Sequence, residues 1–223
     1  MTTIRQINKL VAPLISASGP LVQKAGTLTL RPLHHVVNQL IVWRTSEADH
    51  FEVNWRCCPS FSEKFAAGWD VTFLQAPRQL WRWSTSGVHE IFITRVNDEI
   101  LPRMRAAQTI DGFVQHVSEP EFSARRLIDH VDTDIRVDIA RGDLDTARMK
   151  CRALHERCAR DPESYWGRIW RRTTDRAGPL LEADDRPALA SLLYEWEREL
   201  IKERGLEAIY EPTPFPLELS AGA

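Results

Sequence analysis

The run from His50 to Cys57 constrains this chain more than any other stretch. Phe51, Val53, Trp55 and Cys57 alternate with His50, Glu52, Asn54 and Arg56. Successive side chains of a strand point to opposite faces, so this spelling predicts a β-strand with one apolar and one polar side. A strand of that kind is stable only within a sheet whose apolar face is covered, so its neighbours must supply partner strands and a second layer. Leu28 and Leu30 alternate with Thr27, Thr29 and Arg31, Val36–Arg44 is rich in β-branched residues, and Val71 with Phe73 and Trp81 with Trp83 extend the pattern. Polar turns at Ser46–Asp49, Pro59–Gly68 and Gln75–Pro77 separate these runs. Together they predict an antiparallel meander of about five strands with one wet face.

On either side the period becomes helical. Ile4, Ile7, Leu10, Val11 and Leu14 predict an amphipathic helix ending near Ser16–Gly19. Val88, Ile91, Phe92, Val96 and Ile100 form an apolar stripe that Pro102 kinks or ends. Ser118 with Glu121 spells a capping box leading into Phe122 and Leu127/Ile128. Leu144, Ala147, Cys151, Leu154 and Cys158 recur at steps of three and four, a helix-packing seam that follows a break at Gly142. Tyr165/Trp166 with Ile169/Trp170, and Leu189, Leu192/Leu193, Trp196 and Leu200, predict two further helices, the last ending at Gly205. The expected fold class is α+β. An N-terminal helix and sheet occupy residues 1–117, a helical extension packed on them spans 118–211, and an extended Pro-rich tail carrying Pro212, Pro214 and Pro216 spans 212–223.

Charge and hydropathy narrow the function. Twenty-nine basic against 31 acidic residues give a net charge of −2, which argues against a strong nucleic-acid binder. Residues 1–118 carry 12 basic and 9 acidic groups, net +3, and residues 119–223 carry 17 and 22, net −5. No apolar run approaches the roughly 18 residues that cross a bilayer, so no membrane partner is expected. The first residues, MTTIRQINKLVAPLISASG, carry charges and lack the apolar core of a secretory signal. A cytoplasmic location with reduced thiols follows as the expectation.

Each motif that suggests chemistry has a competing structural role. Adjacent Cys57 and Cys58 point to opposite faces of a strand. Cys151 and Cys158 lie about 10 Å apart along a helix. Neither pair suits one metal ion, so Cys57, Cys151 and Cys158 read as buried small hydrophobes, and no cofactor is expected. His130, Asp132 and Asp134 offer a histidine and two carboxylates to a divalent metal if the segment is extended. The string falls at a helix boundary, however, where Asp132 or Thr133 serves as an N-cap. His34–His35 beside Pro32 reads as a surface turn pair. G-x-S-x-G, P-loop, G-x-G-x-x-G and H-E-x-x-H strings are all missing from the sequence.

Eight tryptophans carry more information, and five of them, Trp43, Trp55, Trp69, Trp81 and Trp83, fall in the strand region. They read first as packing between sheet and helices and second as a partner surface. Arg31, Arg44, Arg56, Arg78 and Arg82 fall where the wet face lies, diluted there by His50, Glu52 and Asn54. That mixture suits a protein partner better than nucleic acid.

The segments HHVVNQLIVWRTSEADHFEVNWRCCPSF, LWRWST and ILPRMRAAQTIDGFVQHV, behind an N-terminal helix, resemble a bacterial family known only as a domain of unknown function. The resemblance covers residues 4–117 and is strongest at Val36–Arg44, Phe51–Cys57 and the ILP–TID–F string. It implies a small stand-alone cytoplasmic sheet-and-helix module, in some cases near toxin and immunity genes, and it implies no catalytic residues. The reading is therefore a non-enzymatic protein-binding module, an immunity-type inhibitor, binding through Arg44, His50, Glu52, Asn54, Arg56 and Arg82. The alternatives are an enzyme with a scattered site or a metal at His130, Asp132 and Asp134, and a homo-oligomeric scaffold.

Overall fold

A computed structural model describes residues 2–15, 19–24, 27–62, 69–71, 81–119, 131–161 and 163–219. The fold is α+β, as the two periods predict: an antiparallel sheet, an N-terminal helix and a helical C-terminal half. The chain divides into two compact units. One comprises the described residues of Met1–Cys58, Gly68–Ala124 and Ile209–Glu211, the other those of Pro59–Ala67, Arg125–Ala208 and Pro212–Ala223.

In the first unit, Thr3 starts helix α1 (Ile4–Val11) with a reciprocal capping box. The Gln6 amide donates to Thr3 Oγ1 at 3.2 Å, and the Thr3 amide donates to Gln6 Oε1 at 2.8 Å. Ile7, Leu10, Val11 and, beyond the helix, Leu14 are buried, whereas Ile4 is 61% exposed, so the stripe loses its first member to the surface. Strands β1 (Leu21–Lys24), β2 (Thr27–Leu30), β3 (Val36–Arg44), β4 (His50–Pro59) and β5 (Trp69–Val71) are neighbours in that order, and β6 (Trp81–Arg82) pairs with β4. The sequence pattern had no strand at Leu21–Lys24, because four residues with one buried apolar side chain carry too little alternation to show it. Val71 of the fourth run lies in the strand Trp69–Val71, and Phe73 falls outside the described residues. Trp83 sits in the turn after β6, its amide donating to Asp49 O at 2.9 Å.

β4 keeps strict alternation: Phe51, Val53, Trp55 and Cys57 are buried, and His50, Glu52, Asn54 and Arg56 are half-buried. β3 differs. It is buried at every position from Val36 to Val42, so both of its faces are covered there, and its VVNQLIV spelling is the near-continuous apolar run such a strand needs. The one wet face is therefore confined to part of the sheet. Two polar side chains inside the core are paired with each other. Trp55 Nε1 donates to Asn38 Oδ1 at 3.0 Å, and Asn38 Nδ2 donates to Ala107 O at 3.3 Å. Phe51 lies against Trp81, Trp83 and Phe92. Trp83 Nε1 donates to Thr2 Oγ1, whose hydroxyl donates to His50 O, so the chain start closes this cluster.

Helix α2 (Val88–Arg95) widens into a π-turn at Val96–Ile100 before α3 (Leu101–Ala106). Pro102 has no amide to donate and its ring crowds the preceding turn, which the wider turn accommodates. Val88, Phe92, Val96 and Ile100 are buried as the stripe requires, but Ile91 is 43% exposed. Helix α4 (Ile110–Ser118) is capped by Thr109, which accepts from the Gly112 amide at 3.0 Å. Ser118 is the last residue of α4. Its Oγ bonds back to Val114 O at 2.7 Å, and Glu121, Phe122 and Leu127/Ile128 lie outside the described residues. A Cβ added at Gly112 would sit 1.9 Å from Ala106 O, a backbone atom that cannot swing away. Gly112→Ala is expected to destabilise the unit by at least about 2 kcal/mol, measured by urea denaturation.

The second unit holds the turn 59–62 and helices α5 (Val131–Arg141), α6 (Leu144–Arg160), α7 (Tyr165–Glu182), α8 (Arg186–Arg204) and α9 (Pro216–Leu219). Asp143, Ser164 and Asp185 cap α6, α7 and α8 by accepting from the amides of Thr146, Gly167 and Ala188. Gly142 and Gly205 end α5 and α8 at φ +82° and +59°, a region that costs glycine little. The predicted seam Leu144, Ala147, Cys151, Leu154 and Cys158 is buried throughout. Asp132 and Thr133 are first-turn residues of α5 rather than its cap. Both are buried, and acidic groups there suit the positive end of the helix dipole. Part of the segment after Pro212 is packed: Phe215 is fully buried against Phe61 and Tyr194, and Tyr194 Oη donates to Thr213 O at 3.0 Å.

Charge is buried at the centre of this unit. Arg136 is 1% exposed and its guanidinium carbon lies 3.9 Å from the Trp196 ring centroid. Its nitrogens donate to Phe61 O at 2.8 Å and to Thr173 Oγ1 at 2.7 and 3.2 Å. Ser60 Oγ donates to the carboxylate of Glu197, which is fully buried. One arginine thereby fixes the turn at 59–62 to α5, α7 and α8.

Candidate binding groove beside the strand pair

The sequence places a mixed polar surface on β3, β4 and β6. Arg44 is exposed at the end of β3, and Arg56 is half-buried on β4. Both line a cavity of about 810 Å³ together with Ile4 and Asn8 of α1, Thr27 of β2, and Ile41 and Trp43 of β3. Gln23 Nε2 donates to Asn8 Oδ1 at 2.9 Å and closes one wall. Two apolar side chains stand open at this place, Ile4 at 61% and Trp43 at 44% exposure. An exposed tryptophan and isoleucine beside two arginines form an apolar centre with a cationic border, the composition of protein-binding hot spots.

The other four expected residues are not in the groove. His50, at the start of β4, has Nδ1 2.6 Å from Glu47 Oε2 and faces Arg82 across the β4–β6 ladder. Arg82 is exposed, while Glu52 and Asn54 are half-buried on β4. Asn54 Oδ1 is enclosed without a hydrogen-bond donor among the described residues. Arg31 is tied to the chain before β1, Nε donating to Gly19 O at 2.6 Å, and Arg78 falls outside the described residues. Of the turn pair, His34 Nδ1 lies 2.7 Å from Glu211 O and His35 is buried. Sequence reasoning missed the α1 wall because Ile4 belongs to a perfect apolar stripe. The stripe shows that a helix has an inner face but not how far along it the cover extends.

Among the described residues, four of the tryptophans are internal. Trp55 is fully buried, with its ring centroid 4.3 Å from that of His116, and Trp81 is buried. Burial of His116 and the nearby Arg103 guanidinium push its imidazole down to about 4. In the second unit Trp170 and Trp196 are buried and Trp166 is 36% exposed.

Of the three expected metal ligands, the two described, Asp132 and Asp134, do not share a face of the helix. Asp132 is buried in the first turn of α5, and Asp134 is half-buried two residues on, about 200° further around the helix. His130 lies outside the described residues. Among the described residues, no group of three or more His, Cys, Asp or Glu side chains gathers as a metal site would require. Cys57, Cys151 and Cys158 are buried free thiols; burial pushes Cys57 well above the usual thiol range and Cys151 to about 11, away from the thiolate form that reacts or binds metal. No helix among the described residues is long and apolar enough to cross a membrane.

Comparison with known proteins adds no relative: no protein family, curated protein or solved structure matches the chain.

Proposed function

We propose that this chain is a non-enzymatic protein-binding module that acts by occluding a partner, as an immunity-type inhibitor does. The observation that supports the reading is the groove in the first unit, which exposed Trp43 and Ile4 line together with Arg44 and Arg56. The partner surface that fits it is an apolar side chain flanked by carboxylates. Burying the tryptophan and isoleucine gives the affinity, and the arginines fix the register and speed the encounter.

Affinity capture from the native host is expected to recover one protein in stoichiometric amount. Reversing both charges with Arg44→Glu and Arg56→Glu should weaken that complex about a hundredfold or more while leaving the unfolding transition in place. Arg82→Glu, at an exposed position outside the groove, should capture as well as the parent. Undiminished capture by the double variant removes the groove from the reading, and loss in the Arg82 variant alone moves the interface to β6.

A further inference from the structure

We propose that the groove between α6 and α7 is a binding site for a small organic cation with an apolar body, an alkyl- or arylalkylamine. This groove encloses about 560 Å³, within the range of roughly 300–1,000 Å³ typical of small-molecule sites. Its floor carries no charge: Cys151, Thr174 and Leu181 are all buried there. The thiol of Cys151 is pushed up first by burial and then by the Glu182 and Asp175 carboxylates, so the floor stays neutral under a negative field.

The rim supplies the selectivity. One arginine, Arg152, and one histidine, His155, stand with three carboxylates, Glu156, Asp175 and Glu182. Arg152 is engaged with Glu182, Nε donating to Oε1 at 2.7 Å, which leaves Glu156 and Asp175 to set the sign of the opening. The pair Gly178–Pro179 lies inside α7 along this groove, where Pro179 has no amide to offer the Asp175 carbonyl. Glycine keeps the wall low, since a Cβ there would sit 3.7 Å from Cys151 Sγ and fill the space above it. An apolar floor beneath carboxylates matches an ammonium head on a hydrocarbon body. An anionic ligand would meet like charge, and a neutral one would leave the carboxylates unused.

Isothermal titration of the full chain with phenethylamine, 2-phenylethanol and phenylacetate tests this directly. The amine is expected to bind saturably, with the alcohol about fivefold weaker and phenylacetate weaker still, since one ion pair at an exposed rim is worth up to about 1 kcal/mol. Asp175→Asn and Glu156→Gln, both at exposed positions that leave the fold in place, should each weaken the amine up to about fivefold and leave the alcohol unchanged. Amide shifts in an NMR titration should concentrate on α6 and α7. Equal affinity for amine and alcohol, an unchanged amine affinity in both variants, or the absence of saturable binding each overturns the proposal. A short lysine-bearing peptide that binds more tightly than the free amine assigns the groove to a protein side chain and overturns the small-molecule reading.

Discussion

Replacing Arg136 with alanine is expected to cost the helical unit about 3–5 kcal/mol, the range found when one member of a buried charged network is removed. The side chain is almost wholly enclosed and makes three hydrogen bonds to Phe61 O and Thr173 Oγ1 while lying on the Trp196 ring. Its loss strands the Phe61 carbonyl in a dry interior, opens a cavity over the indole and unfastens the turn at 59–62. Arg136→Lys keeps the charge, but an ammonium cannot present the planar fork that reaches Phe61 O and Thr173 together, so a loss of about 2 kcal/mol is expected. Urea denaturation followed by far-UV circular dichroism measures both. If Arg136→Ala costs less than about 1 kcal/mol, the network does not hold this unit together.

Acid should weaken the sheet unit through His116. Its imidazole titrates near 4 in the fold, against 6.5 for the ordinary side chain, because burial, and then Arg103, disfavours the charged form. Between those values the unfolded chain binds a proton that the folded chain refuses. Stability is therefore full above about pH 6.5 and declines as pH falls toward 4. A difference of about 2.5 pKa units corresponds to a loss of about 3 kcal/mol at the acid end. His116→Gln should flatten this part of the pH dependence, and the difference between parent and variant isolates it from the carboxylates. Direct NMR titration of the His116 ring checks the cause, and a midpoint near 6.5 would refute it.

Much of the fold was legible in the spelling of single elements. The alternation at Phe51–Cys57 and the seam at Leu144–Cys158 survive residue for residue, because each records burial along one element's own period. The breaks at Gly142 and Gly205 were legible for the same reason, a backbone conformation that favours one residue type. Capping was read less well. Ser118 and Glu121 have the correct spacing for a box, yet Ser118 closes a helix, since a serine hydroxyl bonds to a carbonyl one turn back as readily as to an amide ahead. Asp132 was read as the cap although it is the second residue of the helix, for the same kind of reason: an acidic residue suits both the cap and the first turn.

The candidate groove was half legible. Arg44 and Arg56 were identified from the sequence and Trp43 as a second reading, while Ile4 was not, because exposure of an apolar residue depends on where a neighbouring element stops. The buried Arg136 network was invisible for a related reason. An arginine in an amphipathic helix spells a solvated face, and only the convergence of Phe61, Thr173 and Trp196 from distant parts of the chain turns it inward.

By itself, then, the sequence determined the alternation at His50–Cys57, the helical seams, their stops and the α+β class, since each rests on a period or a backbone preference within a few residues. Tertiary structure alone decided that β3 is covered on both faces, that the polar face is confined to part of the sheet, and that a groove opens where α1 leaves Ile4 uncovered. Those outcomes depend on which surfaces meet across long separations in the chain, and burial is a property of the pair that meets rather than of either partner's spelling.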